Sequence, residues 1–276
     1  MGVVFLVFMR RVTLAAVFLV AAVLVAGGVW LVLLNAGQSP TDSGVATIYT
    51  YHVVNTYPHD TSAFTEGLVF TNGSLYESTG EYGSSSLRRV NLEDGAVQQK
   101  VSLPSQYFGE GLTAVNNALI QLTWQEKTGF IYNKQTLALT GNFTYSTQGW
   151  GLTYNGSELV MSDGSSNLYF LDPVTYQKVG QVSVHDGTTP ITNLNELEYV
   201  NGSIYANIWQ QQKIAIINPK TGAVTGWIDL TGIYQPKGTD DVLNGIAYDQ
   251  QTSSLYVTGK GWPHLYQITI TPAKLG

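Results

Sequence analysis

A five-bladed β-propeller, all-β throughout, is the fold that this 276-residue chain predicts, and three observations carry the prediction. One phrase recurs five times, as FTEGLVFTNGSLYESTG from Phe64, FGEGLTAVNNALIQLTW from Phe108, QGWGLTYNGSELVMSDG from Gln148, LNELEYVNGSIYANIWQ from Leu194 and LNGIAYDQQTSSLYVTGK from Leu243. Aligned on Gly67, Gly111, Gly151, Leu197 and Gly245, the copies step by 44, 40, 46 and 48 residues, a period that suits four short strands per repeat. After residue 45 no stretch of useful length has the helical period.

The chain divides into three parts. Residues 1–37 are an expected membrane anchor or signal segment. Val12 to Leu34 is a run of 23 residues without a charge, long enough to cross the hydrocarbon core as one transmembrane helix. Arg10 and Arg11 precede it, so the positive-inside rule sends everything beyond Asn35 out of the cytoplasm. A cleaved signal peptide is the alternative, although the apolar run exceeds a usual signal core and Leu34-Asn35-Ala36 is a poor cleavage site. Residues 38–45, rich in Ser, Thr, Gly and Pro, read as a tether. Residues 46–276 are the propeller.

Each phrase supplies an apolar strand, a tight turn and a second strand. Asn72-Gly73, Asn155-Gly156 and Asn201-Gly202 are placed for type I′ hairpins. Third strands are expected at Ser86–Leu92, Thr128–Asn133, Asn167–Leu171, Lys213–Ile217 and His264–Ile270, and a fourth strand follows in every repeat but the last. The missing strand has a candidate in Ala46–Thr56, which would close the ring and cover its exposed edges.

The start of the first strand and the end of the second lie at one end of each hairpin, so two sets of residues should ring one mouth of the axial channel. The first set is Glu66, Glu110, Trp150, Glu196 and Asn244, with Asn195 alongside. The second is Gly80, Trp124, Gly164, Trp209, and Lys260 with Trp262. Taken singly, each has an ordinary explanation: a carboxylate beside Gly serves turn amides, Trp packs between blades, and a loop Lys is solvated. Together they describe an apolar-walled pocket with a few fixed polar groups, the usual form of a small-ligand site.

Composition narrows the function further. A net charge of −6 with no Lys/Arg block argues against a nucleic-acid partner. The chain has no cysteine, hence no disulfide, thiolate nucleophile or zinc-thiolate site. His52, His59, His185 and His264 lack ligand spacing. Sequons at Asn72, Asn142, Asn155 and Asn201 accept glycans only in a competent host, and hairpin geometry already accounts for three of them.

The phrases FTEGL, YESTG with YGSSSLR, FGEGLT followed by LTW, GWGLTY with SDGSSNLYFLDP, NELEYVNG with ANIWQ, GWIDL, and VLNGIAYD with VTGKGWP form a specific set. From about Tyr51 to Ile270 the chain resembles the plant and bacterial glutamine cyclotransferases, also called glutaminyl-peptide cyclotransferases. That resemblance implies a five-bladed propeller, expected as a monomer, that converts the N-terminal glutaminyl residue of a peptide or protein to pyroglutamyl and releases ammonia, with no cofactor and no catalytic metal. It places the essential acid on Glu110, and the pocket contacts on Trp124, Trp150, Asn195, Trp209 and Lys260. Glu66 joins them, although the family commonly has Gln there. In the implied reaction the substrate's α-amine attacks its own side-chain amide, Glu110 shuttles the proton, and Asn195 and Lys260 hold the developing oxyanion. Two other classes compete with this reading: a non-catalytic propeller that binds peptides or glycans, and a metal-dependent, lactonase-like hydrolase.

Overall fold

The computed structural model describes residues 44–274, so the expected anchor and most of the tether lie outside the described residues. Strand β1 (Thr47–Pro58) comes first. Three sets of four follow: β2 (Thr65–Thr71), β3 (Ser74–Thr79), β4 (Ser86–Val90) and β5 (Val97–Ser102); β6 (Gly109–Val115), β7 (Ala118–Thr123), β8 (Thr128–Asn133) and β9 (Leu139–Thr144); then β10 (Leu152–Tyr154), β11 (Leu159–Ser162), β12 (Asn167–Leu171) and β13 (Lys178–Ser183). A small hairpin, β14 (His185–Asp186) and β15 (Thr189–Pro190), precedes β16 (Leu194–Val200), β17 (Ser203–Ile208), β18 (Lys213–Ile217) and β19 (Val224–Asp229). The chain ends with β20 (Leu243–Asp249), β21 (Ser254–Gly259) and β22 (His264–Pro272). The described residues contain no helix, and the β14–β15 hairpin was not legible in the repeat pattern.

Three sheets have four strands each, in chain order, β14 and β15 form a two-stranded sheet, and one sheet has eight: β16-β17-β18-β19-β1-β22-β21-β20. Strand β1 makes that union. It pairs antiparallel with β22 from Tyr49↔Pro272 to Pro58↔His264, taking the fourth place of the last set, and parallel with β19 over Thr47–Tyr49. The strand expected at Ala46–Thr56 therefore closes the fold, and it runs two residues further.

The first strands of the sets touch in a cycle, β2 to β6, β10, β16, β20 and back to β2. Five clusters of buried apolar side chains fill the spaces between successive sets. Val69, Tyr76 and Leu87 pack on Leu112, Leu119 and Phe130, for example, and Leu68, Leu75 and Val90 on Ala247, Tyr256 and Leu265. Position in the cycle explains the sequence pattern. Inner strands such as TEGLVFT and GEGLTAV have neighbours on both faces and are buried almost throughout, whereas β5, β9 and β13 lie outermost and alternate exposed with half-buried residues.

The repeated glycine marks the closest approach of inner strands. A Cβ on Gly67 would lie 2.5 Å from the Leu112 nitrogen, and one on Gly111 would lie 2.5 Å from that of Leu152. Two hairpins follow the expected turn, with Asn72 and Asn201 at φ 51° and 48° before positive-φ glycines. The third does not. Only Gly156 has positive φ there, and the Asn155 side chain instead accepts from the amides of Ser157 and Glu158.

Candidate active site

Four of the inner strands carry a β-bulge near their start, and these bulges aim the polar side chains. In β6 the pairing moves from Gly109↔Thr123 to Leu112↔Gln121, so Glu110 and Gly111 together oppose Leu122. The same slip sets Asn195 and Glu196 against Asn207, and Asn244 and Gly245 against Thr258. In β2 the register shifts between Thr65 and Gly67, at Glu66. This register corrects the sequence alignment by one residue in the fourth repeat. Asn195, not Glu196, is the counterpart of Glu110 and Asn244, and Glu196 stands where Gly111 and Gly245 stand. The Glu196 side chain consequently turns into the centre of the cycle, fully buried, where it accepts from the amides of Ile246 (2.8 Å) and Leu68 (3.4 Å). It does not line the pocket.

A cavity of about 390 Å³ opens above these bulges. Glu66, Glu110, Asn195 and Lys260 supply its buried polar groups; Phe64, Phe108, Trp124, Trp150 and Trp209 wall it; Asp240 and Val242 complete the lining. The seven residues that the family resemblance assigned to the site thus meet in one space, whereas Asn244 and Glu196 of the ring positions lie outside its lining. Trp262 does not join them. It is 1% exposed, packs against Tyr234 and Tyr266, and donates its indole N–H to the Asp241 carbonyl.

The aromatic wall is a relay of edge-to-face contacts. Phe64 meets Phe108 at 6.1 Å and 88°, Phe108 meets Trp124 at 5.7 Å and 63°, and Trp150 meets Trp209 at 5.8 Å and 87°. Two glycines make room for it, because a Cβ on Gly80 would run into the Phe108 ring and one on Gly164 into Trp150. Gly80 thus seats an aromatic from the following repeat, and Gly164 one from its own. Gln148, in a loop where the repeat gives no signal, ties two walls together. Its Oε1 accepts from the indole N–H groups of both Trp124 (2.7 Å) and Trp150 (3.1 Å).

The polar floor is charged unevenly. Lys260 is buried in a loop, donates to Glu66 Oε1 at 2.6 Å, and holds its ammonium 4.3 Å from the centre of the Phe64 ring. The other Glu66 oxygen accepts from Asn244 Nδ2 at 2.9 Å. Burial pushes the Glu66 carboxyl up, Lys260 pulls it back, and the balance lies at about 6. Glu110 has no such partner. Burial and then the Glu66 charge raise its carboxyl well above the ordinary range, and Lys260 offsets only part of this. Its Oε2 is buried without a hydrogen bond, as is Asn195 Oδ1. Unpaired buried polar atoms are uncommon in folded proteins, and two of them face a single cavity here.

Backbone contacts hold Glu110 in place. Ser78 donates to its carbonyl, Gln121 donates to Ser78 at 2.7 Å, and Gly111 N–H donates to the Trp150 carbonyl at 2.6 Å. Behind Glu66 lies a buried network that no motif in the sequence marks. His59 bonds the Trp262 carbonyl and Glu77, Glu77 accepts from Thr65, and Arg88 reaches both Glu77 and Asp60. Among the described residues no group of three or more His, Cys, Asp or Glu side chains is spaced to hold a metal ion, and no helix is long and apolar enough to cross a membrane.

The chain is 43% identical over 229 residues to a glutaminyl-peptide cyclotransferase of Arabidopsis thaliana, covering 80% of this chain and 71% of that one. Its structure matches the crystal structure of Myxococcus xanthus glutaminyl cyclase with a TM-score of 0.79 at 36% identity, over 83% of this chain and 100% of that one. The family model described as glutamine cyclotransferase matches residues 26–270, and this chain belongs to that family.

Proposed function

We propose that this chain is a glutaminyl-peptide cyclotransferase whose five four-stranded sets are the blades of one propeller, with the pocket at one mouth of its axis as the active site. The carrying observation is Glu110: a carboxyl that is buried, lacks a hydrogen bond at Oε2, stays protonated well above the usual range and stands inside an aromatic cage.

The reaction needs no enzyme nucleophile, because the attacking α-amine belongs to the substrate. The bond formed joins that nitrogen to the side-chain amide carbon; the bond broken releases the amide nitrogen as ammonia. One proton must leave the attacking amine and one must reach the leaving nitrogen. Glu110 does both, giving its proton to the departing nitrogen and regaining one from the amine, so it ends as it began. The apolar walls hold the glutaminyl side chain folded back on the amine, which supplies the orientation that ring closure requires. Lys260 keeps donors beyond the one given to Glu66 and the Asn195 side-chain amide N–H lines the same cavity, so both can donate to the substrate amide oxygen as it gains charge, while the unpaired Asn195 Oδ1 is left to accept a substrate N–H. Glu66 is assigned a supporting part as the counter-charge that fixes Lys260.

The uncharged run Val12–Leu34 behind Arg10 and Arg11 supports a single-pass anchor with the catalytic part outside the cytoplasm. The test of the reaction is direct. Full-length protein incubated with a Gln-initiated peptide yields a product lighter by one ammonia in mass spectrometry; no mass loss at high enzyme concentration rejects the assignment.

A further inference from the structure

Asp240 is the one carboxylate of the pocket that neither the catalytic scheme nor the packing uses. It lines the same cavity as Glu110 but is solvent-exposed, on the loop between β19 and β20. Of the other acids near this mouth, Glu126 accepts from Tyr82 and the Phe108 amide, Asp163 from Ser165 and Tyr169, and Asp241 from the amides of Lys237 and Gly238, while Glu81, exposed and close enough to raise the Glu66 carboxyl, is not part of the cavity lining. Among the described residues the Asp240 side chain has neither an ion-pair nor a hydrogen-bond partner. The loop carrying it is nonetheless fixed. Val242 N–H donates to the Asp240 carbonyl at 2.8 Å, and Lys260 N–H donates to the Val242 carbonyl at 3.0 Å. The start of the same loop is bonded to the segment that follows Trp209, through Leu230 N–H to Gln212 O and Gly232 N–H to Gln212 Oε1. Trp209 is itself 38% exposed.

The cavity's charges leave Asp240 uncompensated, since Lys260 is paired with Glu66. A glutaminyl residue seated against Glu110 must send the rest of its peptide out through this mouth. The next side chain then meets an exposed indole and an unpaired carboxylate, a combination that favours a long cationic side chain able to lie on the ring and pair with the acid. We propose that Asp240 is a specificity-determining residue, and that it favours glutaminyl substrates with Arg or Lys in the second position over those with Asp or Glu. This rests on the cyclotransferase reading and names the substrate class that the site selects.

The experiment compares Gln-Arg, Gln-Ala and Gln-Glu peptides on full-length wild type, Asp240→Asn and Asp240→Lys. Both kcat/KM and the dissociation constant from tryptophan quenching are read, because quenching reports binding whether or not turnover follows. Wild type is expected to favour Gln-Arg over Gln-Glu by about tenfold, mainly in KM and in binding, with the gap shrinking at high salt. Asp240→Asn reduces the gap to about twofold and Asp240→Lys reverses it. An unchanged Arg-to-Glu ratio in both variants, or equal binding of the two peptides by wild type, overturns the role of Asp240. Binding that keeps the charge preference without any cyclisation contradicts the cyclotransferase reading and leaves the Asp240 assignment standing.

Discussion

Lys260 and Glu66 form a buried ion pair, with Nζ 2.6 Å from Oε1, between residues 194 positions apart in the chain. The pair joins the last repeat to the first across the floor of the pocket. It also assigns a part to the position where the family commonly has Gln. Ionised Glu66 holds the Lys260 ammonium at the floor of the cavity.

A pH profile tests that arrangement. The Glu66 carboxyl titrates at about 6, so it is charged at neutral pH and becomes neutral as the pH falls below that value. Lys260 then loses its counter-charge, and kcat/KM is predicted to drop on an acid limb near pH 6. Glu66→Gln should fold, keep activity within about tenfold of wild type at neutral pH, and lack this limb. A limb of the same position in Glu66→Gln would show that another group causes it.

Stability should fall as the pH rises through neutrality, for a reason separate from catalysis. Glu198 is buried on β16, and burial raises its carboxyl to about 8 despite hydrogen bonds from Tyr248 N–H and Thr153. The folded state therefore keeps a proton that the unfolded chain releases near pH 4.5. Its contribution is complete below that value and is lost as the pH climbs toward 8, at a rate on the order of 1 kcal/mol per pH unit. Denaturant melts of wild type between pH 5 and 8 should show a slope of this sign, and Glu198→Gln should reduce it by about 1 kcal/mol per pH unit, leaving the part that buried Glu110 and Glu196 contribute. Parallel slopes for the two proteins would contradict the assignment.

Gln148 offers a test of the pocket wall that leaves the reacting groups untouched. Its single acceptor oxygen orients both Trp124 and Trp150. Replacing it with Leu removes two hydrogen bonds, and KM is predicted to rise about tenfold with a smaller change in kcat. Steady-state kinetics decide it, and an unaltered KM would mean that the indoles are held by packing alone.

The close approach of inner strands predicts a sharp contrast between two glycines. A Cβ on Gly111 would meet only backbone, 2.5 to 2.6 Å from Leu152, Gly151 and Trp150, whereas one on Gly180 would meet the Phe170 side chain at 3.6 Å. Gly111→Ala should cost about 3 kcal/mol or prevent folding, and Gly180→Ala should stay within about 0.5 kcal/mol of wild type. Thermal melts of the two variants measure the difference.

The repeats were legible because each copy faces the same geometric demand, a glycine where inner strands touch and an apolar strand flanked on both sides. The pocket walls were legible for a related reason, since Trp124, Trp150 and Trp209 fall at equivalent ends of their hairpins. What escaped depends on register and on contacts between distant segments. The fourth repeat has Glu196 in place of the axial glycine, so aligning Leu197 with Gly111 misplaced it by one residue, and only the bulge at Asn195 reveals the shift. Trp262 follows Lys260 by two positions yet turns back into the core, which strand spacing does not specify. Gln148 and Asp240 lie in loops outside the repeated phrase's strands, where periodicity gives no signal.

Substitution of the central carboxyl is the most direct test. Ammonia release from a Gln-initiated peptide should be measured for wild type and Glu110→Gln, with folding checked by near-ultraviolet circular dichroism and peptide binding by tryptophan quenching. Glu110→Gln cannot shuttle a proton, so its kcat is predicted to fall roughly 100-fold to 10,000-fold while the peptide still binds. A folded Glu110→Gln protein that releases ammonia at close to the wild-type rate would contradict the account.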